Sequence, residues 1–120
     1  MQVNYNGDML ENRESPRYRS LARAQISGIL EGSCFLRNIS ITGCCVECTG
    51  AADIQSNARY RLRIKPERES HIGSFELQVD CKWVRNDGHA TELGFSIVAS
   101  PKGRQFLRYV DYLTYHHSHL

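Results

Sequence analysis

The chain has 120 residues, enough for one domain built around one core. Its 41% hydrophobic and 23% charged content is ordinary for a globular protein, and a net charge of +2 is too small for a general binder of nucleic-acid polymers. No apolar run approaches the ~20 residues of a membrane helix, and the N-terminus lacks the charged, apolar and small-residue order of a secretory signal, so no membrane insertion and a cytoplasmic location are expected.

Residues 1–12 are polar and aperiodic and read as a flexible arm. The domain proper is expected over residues 13–115, and residues 116–120 form a short histidine-containing tail. Pro16 blocks helix continuation and pushes Ser15 toward extended backbone. Arg13 and Arg17 therefore lie on a loop that can close over a bound anion.

From Ala22 the period becomes two. Ala22, Ala24, Ile26, Gly28 and Leu30 share one face, while Arg23, Gln25 and Ser27 share the other. Glu31-Gly32-Ser33 predicts a hairpin turn into a second strand over Cys34 to Ile39. Ser40 to Gly43 turns the chain into a third strand, Cys44 to Thr49. After a loop, Tyr60, Leu62 and Ile64 alternate with Arg59, Arg61 and Arg63, and Lys65 to Ser70 forms a charged hairpin loop.

The clearest strand comes next. Phe75, Leu77, Val79, Cys81 and Trp83 alternate with Glu76, Gln78, Asp80 and Lys82, which predicts a core position for Trp83. Asn86-Asp87-Gly88 makes another turn, and Leu93, Phe95 and Ile97 point inward from the last strand. Ser100 and Pro101 then suit the cap and first position of a helix, whose Phe106, Val110 and Leu113 recur at helical spacing. Six short strands in a small domain favour closure, because a barrel leaves no edge exposed. The expected fold is mainly β: a six-stranded antiparallel barrel with a C-terminal α-helix.

Catalytic chemistry finds little support. No histidine is positioned beside a cysteine with a third orienting group, and no glycine-rich phosphate loop appears. Cys34, Cys44, Cys45, Cys48 and Cys81 lack a partner pair that would complete a tetrahedral metal set, so no metal is expected. They read as small buried apolar side chains of a protein in a reducing compartment.

The informative residues form two short motifs on either side of the first strand. Arg13-Glu14-Ser15-Pro16-Arg17 supplies two planar forks of donors, which pair with phosphate or stack on aromatic faces. A second Arg-x-x-x-Arg at Arg19 and Arg23 is a rival, but Arg23 falls inside the first alternating strand. Asn38-Ile39-Ser40-Ile41-Thr42-Gly43 supplies short polar groups and a glycine that allows close approach.

In this order the motifs resemble those of the PilZ family, bacterial domains that typically bind cyclic di-GMP. Cys81-Lys82-Trp83-Val84 and Leu93-Gly94-Phe95 are similar to the family's closing strands. The resemblance covers Glu11 to Tyr115 and implies the same six-stranded barrel and C-terminal helix.

It also implies roles. Arg13 and Arg17 would engage the phosphates and guanines of cyclic di-GMP, Asn38 and Ser40 would hydrogen-bond the ligand, and Gly43 would permit the turn. Trp83 would stack on guanine if it lined the barrel mouth. The implied function is a non-enzymatic second-messenger receptor acting on a protein partner in motility, biofilm or related control. The alternative within the family is an adaptor that binds no nucleotide.

Overall fold

The computed structural model describes residues 16–28, 33–50, 53–101 and 103–118. Arg13 and most of the hairpin expected at Glu31-Gly32-Ser33 lie outside the described residues. Seven strands are present: β1 (Tyr18–Arg19), β2 (Arg23–Ile26), β3 (Cys34–Ile39), β4 (Gly43–Thr49), β5 (Arg59–Lys65), β6 (Phe75–Asn86) and β7 (Ala90–Ala99). One helix, α1 (Gly103–Ser118), follows. The six strands β2 to β7 pair antiparallel in the cyclic order β2-β3-β4-β7-β6-β5, and the β2–β5 ladder closes the barrel.

The short β1 is an addition to the elements expected from sequence. It continues the line of β2 along β3, pairing Tyr18 with Ile39 and Arg19 with Asn38. Between β1 and β2 the chain bulges, with Leu21 pushed out to 75% exposure while Ser20 and Ala22 turn inward. The Ser20 amide still donates to the Arg37 carbonyl at 3.0 Å, and Ala22 accepts from the Leu36 amide at 2.9 Å.

Period-two alternation decides what fills the barrel. Ala24, Ile26, Leu36, Val46, Leu62, Ile64, Leu77, Val79, Leu93 and Phe95 are buried and form one contiguous core. Fully burying a side chain of the Leu, Ile or Phe kind contributes about 1.5–3 kcal/mol. Helix α1 lays Phe106, Tyr109, Val110 and Leu113 on that core, with Phe75 in ring contact with both Phe106 and Tyr109 at 5.9 Å.

Three expectations are corrected by the packing. The helix is described from Gly103, later than the expected start at Pro101, and the Ser100 hydroxyl donates to the Glu76 carbonyl at 2.9 Å. At its other end α1 runs past Tyr115 to Ser118, and His116 packs on Tyr112 with centroids 4.2 Å apart. Cys34 and Cys48 lie directly opposite each other in the β3–β4 ladder and are joined by a disulfide. Only Cys44, Cys45 and Cys81 remain as buried free thiols.

A buried chain of hydrogen bonds ties the start of the domain to its end. The Ala22 amide donates to Ser20 Oγ at 2.9 Å, Ser20 Oγ lies 2.6 Å from the Tyr109 hydroxyl, and that hydroxyl donates to Glu67 Oε1 at 2.6 Å. Burial pushes the Tyr109 phenol upward, Glu67 adds to the rise and Ser20 opposes it. The hydroxyl therefore stays protonated and keeps donating.

Replacing Tyr109 by Phe leaves the buried Ser20 and the part-buried Glu67 each short of a hydrogen bond, so stability should fall by about 1–3 kcal/mol in urea unfolding. Reduction of Cys34–Cys48 releases a crosslink between residues 14 apart in sequence, and unfolding with and without reductant should differ by up to about 3 kcal/mol. An unchanged midpoint on reduction would mean that the strand pairing alone holds this hairpin.

Candidate functional site

The site is built on the outer face of β3, β4, β7 and β6, and begins with a turn. Ser40 is 1% exposed, and its hydroxyl accepts from the Gly43 amide at 3.1 Å and the Thr42 amide at 3.2 Å. The Ser40 amide donates to the Gly43 carbonyl at 2.8 Å, which closes the turn. Serine competes well for nearby backbone groups and so favours such turns. Its hydroxyl thus faces the backbone of its own turn, in contrast with the ligand-facing role that the resemblance implies.

That turn sets Gly43 under Arg17. A side chain at position 43 would meet Arg17 Nη2 at 2.7 Å and the Phe95 carbonyl at 2.9 Å, so the guanidinium occupies the space a Cβ would need. Arg17 Nη1 also donates to Asn38 Oδ1 at 3.2 Å. Three of the positions singled out in the sequence are thereby in direct contact. Arg19 pairs with Asn38 across the β1–β3 ladder, while Arg23 packs on the exposed Phe35 ring at 6.0 Å, away from this cluster. The register using Arg17 is the one that meets the Asn-x-Ser-x-x-Gly turn.

Trp83 is not in the core. It is 41% exposed, whereas Phe75, Leu77, Val79 and Cys81 before it are all buried. The cause is a β-bulge: Cys81 pairs with Phe95 and Trp83 pairs with the next residue, Gly94, leaving Lys82 as the extra residue. One inserted residue moves every later side chain to the opposite face. The indole then lies across Gly94, where any Cβ would overlap its Cδ1, Nε1 and Cε2 atoms. Arg85 lies over the ring, with its guanidinium carbon 5.7 Å from the centroid.

Arg17 and Trp83 stand at two ends of one row. Ladder pairing runs Arg19, Asn38, Cys45, Gly94, Trp83 across β1, β3, β4, β7 and β6. Cys45 in the middle is small and the indole itself covers Gly94, so only a short, shallow trough over Cys45 separates the arginine–asparagine end from the ring. Burial raises the Cys45 thiol above its usual range, with Glu92 contributing and Arg17 opposing. Burial pushes Cys44 up to about 12. The Cys45 thiol is protonated at neutral pH and Cys44 turns inward to the core, so neither sets a negative charge against an anionic ligand.

A second row on the same face is charged. Phe35, Glu47, Glu92 and Arg85 are ladder neighbours, and Arg37 projects from a register shift in β3 between Leu36 and Asn38. Arg37 is paired with Glu47 and reaches Glu92 at 3.5 Å, and Arg85 is paired with Glu92. Phe35 and Trp83 put aromatic rings on this outer face, with glutamates interleaved that repel a polyanionic strand. Arg37, Arg85 and Glu92 were missed as site neighbours because only the two bulges bring them beside the trough.

No group of three or more potential metal ligands occurs among the described residues. No helix of the described residues is long and apolar enough to cross a membrane.

Replacing Gly94 by Ala should lift the indole off β7. Trp83 is the chain's single tryptophan, so its fluorescence should shift to the red as the ring enters water. An unshifted spectrum with native circular dichroism would mean that the ring does not rest on Gly94 in solution.

Comparison with known proteins bears on the fold and the family. No curated protein sequence matches the chain. Among solved structures, the one described as the Bacillus subtilis inhibitor of motility MotI/DgrA aligns with a TM-score of 0.72 at 23% identity. The alignment covers 89% of this chain and 51% of that one, so this chain spans about half the length of that protein. At that identity the likeness establishes the fold. The family model of the PilZ domain matches residues 11–112, a stretch that holds the Arg17–Asn38–Gly43 cluster and both bulged strands, and the chain belongs to the PilZ domain family.

Proposed function

We propose that this protein is a receptor for cyclic di-GMP that acts on a protein partner and catalyses no reaction. The observation that carries the reading is the contact of Arg17 with Asn38 and Gly43 at one end of a neutral trough that ends at an exposed tryptophan. Cyclic di-GMP presents two phosphates and two guanines. A guanidinium matches phosphate oxygens and also the N7 and O6 acceptors of guanine, and an exposed indole offers a stacking face worth ~1–3 kcal/mol per base.

Arg13 is assigned to the same ligand from its place in the Arg-x-x-x-Arg motif. Asn38 adds a directional amide, and Ser40 serves by holding the turn that seats Gly43. A receptor of this kind influences a partner only if the partner's affinity differs between free and bound forms. The description of the structural neighbour as an inhibitor of motility makes motility the first output to assay. A cytoplasmic location follows from this reading, since that is where such a second messenger is expected.

Calorimetric titration with cyclic di-GMP gives affinity and stoichiometry together. Binding should be micromolar or tighter. Arg13→Ala, Arg17→Ala and Asn38→Ala should each weaken it roughly tenfold to a hundredfold, as expected for hydrogen bonds to charged groups of ~1.5–3 kcal/mol. Salt should reduce affinity only moderately, because few phosphates are engaged. If neither cyclic di-GMP nor any other guanine nucleotide binds the unsubstituted protein, the nucleotide-free adaptor becomes the correct reading.

A further inference from the structure

The charged row beside Trp83 has a chemistry of its own. Arg37, Glu47, Arg85, Asp87 and Glu92 line an open cleft of about 370 Å³ that adjoins the trough. Asp87 is committed elsewhere, since its Oδ1 accepts the His89 and Ala90 amides at 2.9 Å each. Glu92 differs. It is held from two sides, by Arg85 and by Arg37, and its side chain is 23% exposed. Two arginines keep this carboxylate in one place, and it retains further lone pairs toward the cleft.

Its position relative to the indole is fixed by ladder register. Trp83 lies over Gly94, so the stacking surface is centred on β7. Glu92 is two residues along the same strand and on the same face, about 7 Å away at the usual rise per residue. Arg85 is two residues along β6 from Trp83, and it touches both the ring and the carboxylate.

A planar base that takes the place of the Arg85 guanidinium over the indole meets the Glu92 carboxylate, and the guanidinium still paired with it, side by side at its edge. Guanine matches that pair. Its N1–H and N2–H₂ groups donate to a carboxylate, and its O6 accepts from a guanidinium. Adenine presents the reverse order, an acceptor at N1 and a donor at N6, and would set like against like.

We propose that Glu92, with Arg85, reads the edge of a guanine stacked on Trp83 and so sets selectivity for guanine over other purines. The proposal rests on the receptor reading above and adds a specificity-determining pair outside the two signature motifs.

The test is a ratio of affinities. The unsubstituted protein and Glu92→Gln are titrated with cyclic di-GMP, its inosine counterpart, which lacks the N2 amino group, and cyclic di-AMP. The unsubstituted protein should prefer cyclic di-GMP over the inosine dinucleotide by about tenfold or more, since a site built to receive a donor rejects the analogue lacking it. In Glu92→Gln that preference should collapse to within about twofold, through weaker binding of cyclic di-GMP. Position 92 is on the barrel surface, so circular dichroism should show the variant folded.

A preserved preference in the variant, or equal weakening of all three ligands, would overturn the proposal while leaving the receptor reading intact. If the unsubstituted protein binds none of the three, the receptor reading fails and this proposal fails with it.

Discussion

The cluster of Arg17, Asn38 and Gly43 depends on one buried hydroxyl. Ser40, itself buried, satisfies the amides of Thr42 and Gly43 in a turn whose tip, Ile41 and Thr42, is exposed. A buried amide left without a partner costs about 1–3 kcal/mol, so the turn has few alternatives once the hydroxyl is in place. The turn puts Gly43 at the first pair of the β4–β7 ladder, opposite Ser96, and the absence of a side chain there opens the seat for Arg17. A motif that reads in sequence as two hydrogen-bonding positions and a turn glycine thus divides its labour differently. Asn38 faces outward, Gly43 makes room, and Ser40 holds both where they are.

The other half of the face depends on register. In a strand of strict alternation, Trp83 would join Cys81 in the core and β6 would present a polar outer surface. The extra residue at Lys82 reverses this from Trp83 onward. A large aromatic ring on the surface leaves apolar area in water, and the structure limits that by laying it on the backbone at Gly94. The register shift at Arg37 acts in a similar way on β3, leaving that arginine exposed toward the glutamates of β4 and β7. Bulges are enriched beside binding sites because they re-aim side chains without breaking the sheet. Here two of them bring together a stacking surface and a charged row.

This explains what was legible in the sequence. Alternation over β5, β6 and β7 is a local property of the chain, so those strands, the barrel and the helix could be read directly. The Arg17, Asn38 and Gly43 cluster could be read because its residues are short-range neighbours of one hairpin and the strand before it. Trp83 was assigned to the core because alternation has no local mark for an inserted residue. Lys82 is an unremarkable strand residue, and only pairing with β7 shows it to be unpaired. The Cys34–Cys48 bond was hidden for the same reason: cysteines 14 apart face each other only once the β3–β4 register is known. Ser100 looked like a helix cap, yet a carbonyl from β6 took its hydroxyl. In each case a tertiary contact overrode a sound local preference.

The short segment from Arg17 to Ala22 joins these two kinds of constraint. Arg17 is seated on the platform, Tyr18 and Arg19 pair with β3, and Ser20 enters the hydrogen-bond chain through Tyr109 to Glu67. Only three positions separate the group that would meet a ligand from the buried contact with α1. Such a segment has little slack, because both ends are fixed by groups that are costly to leave unpaired. Movement of Arg17 beyond the reach of its own side chain must therefore pass through β1 and disturb Ser20. The Tyr109 hydroxyl then loses a neighbour on one side while Glu67 still accepts from it on the other. The helix is thus tied to the start of the domain through one buried hydroxyl.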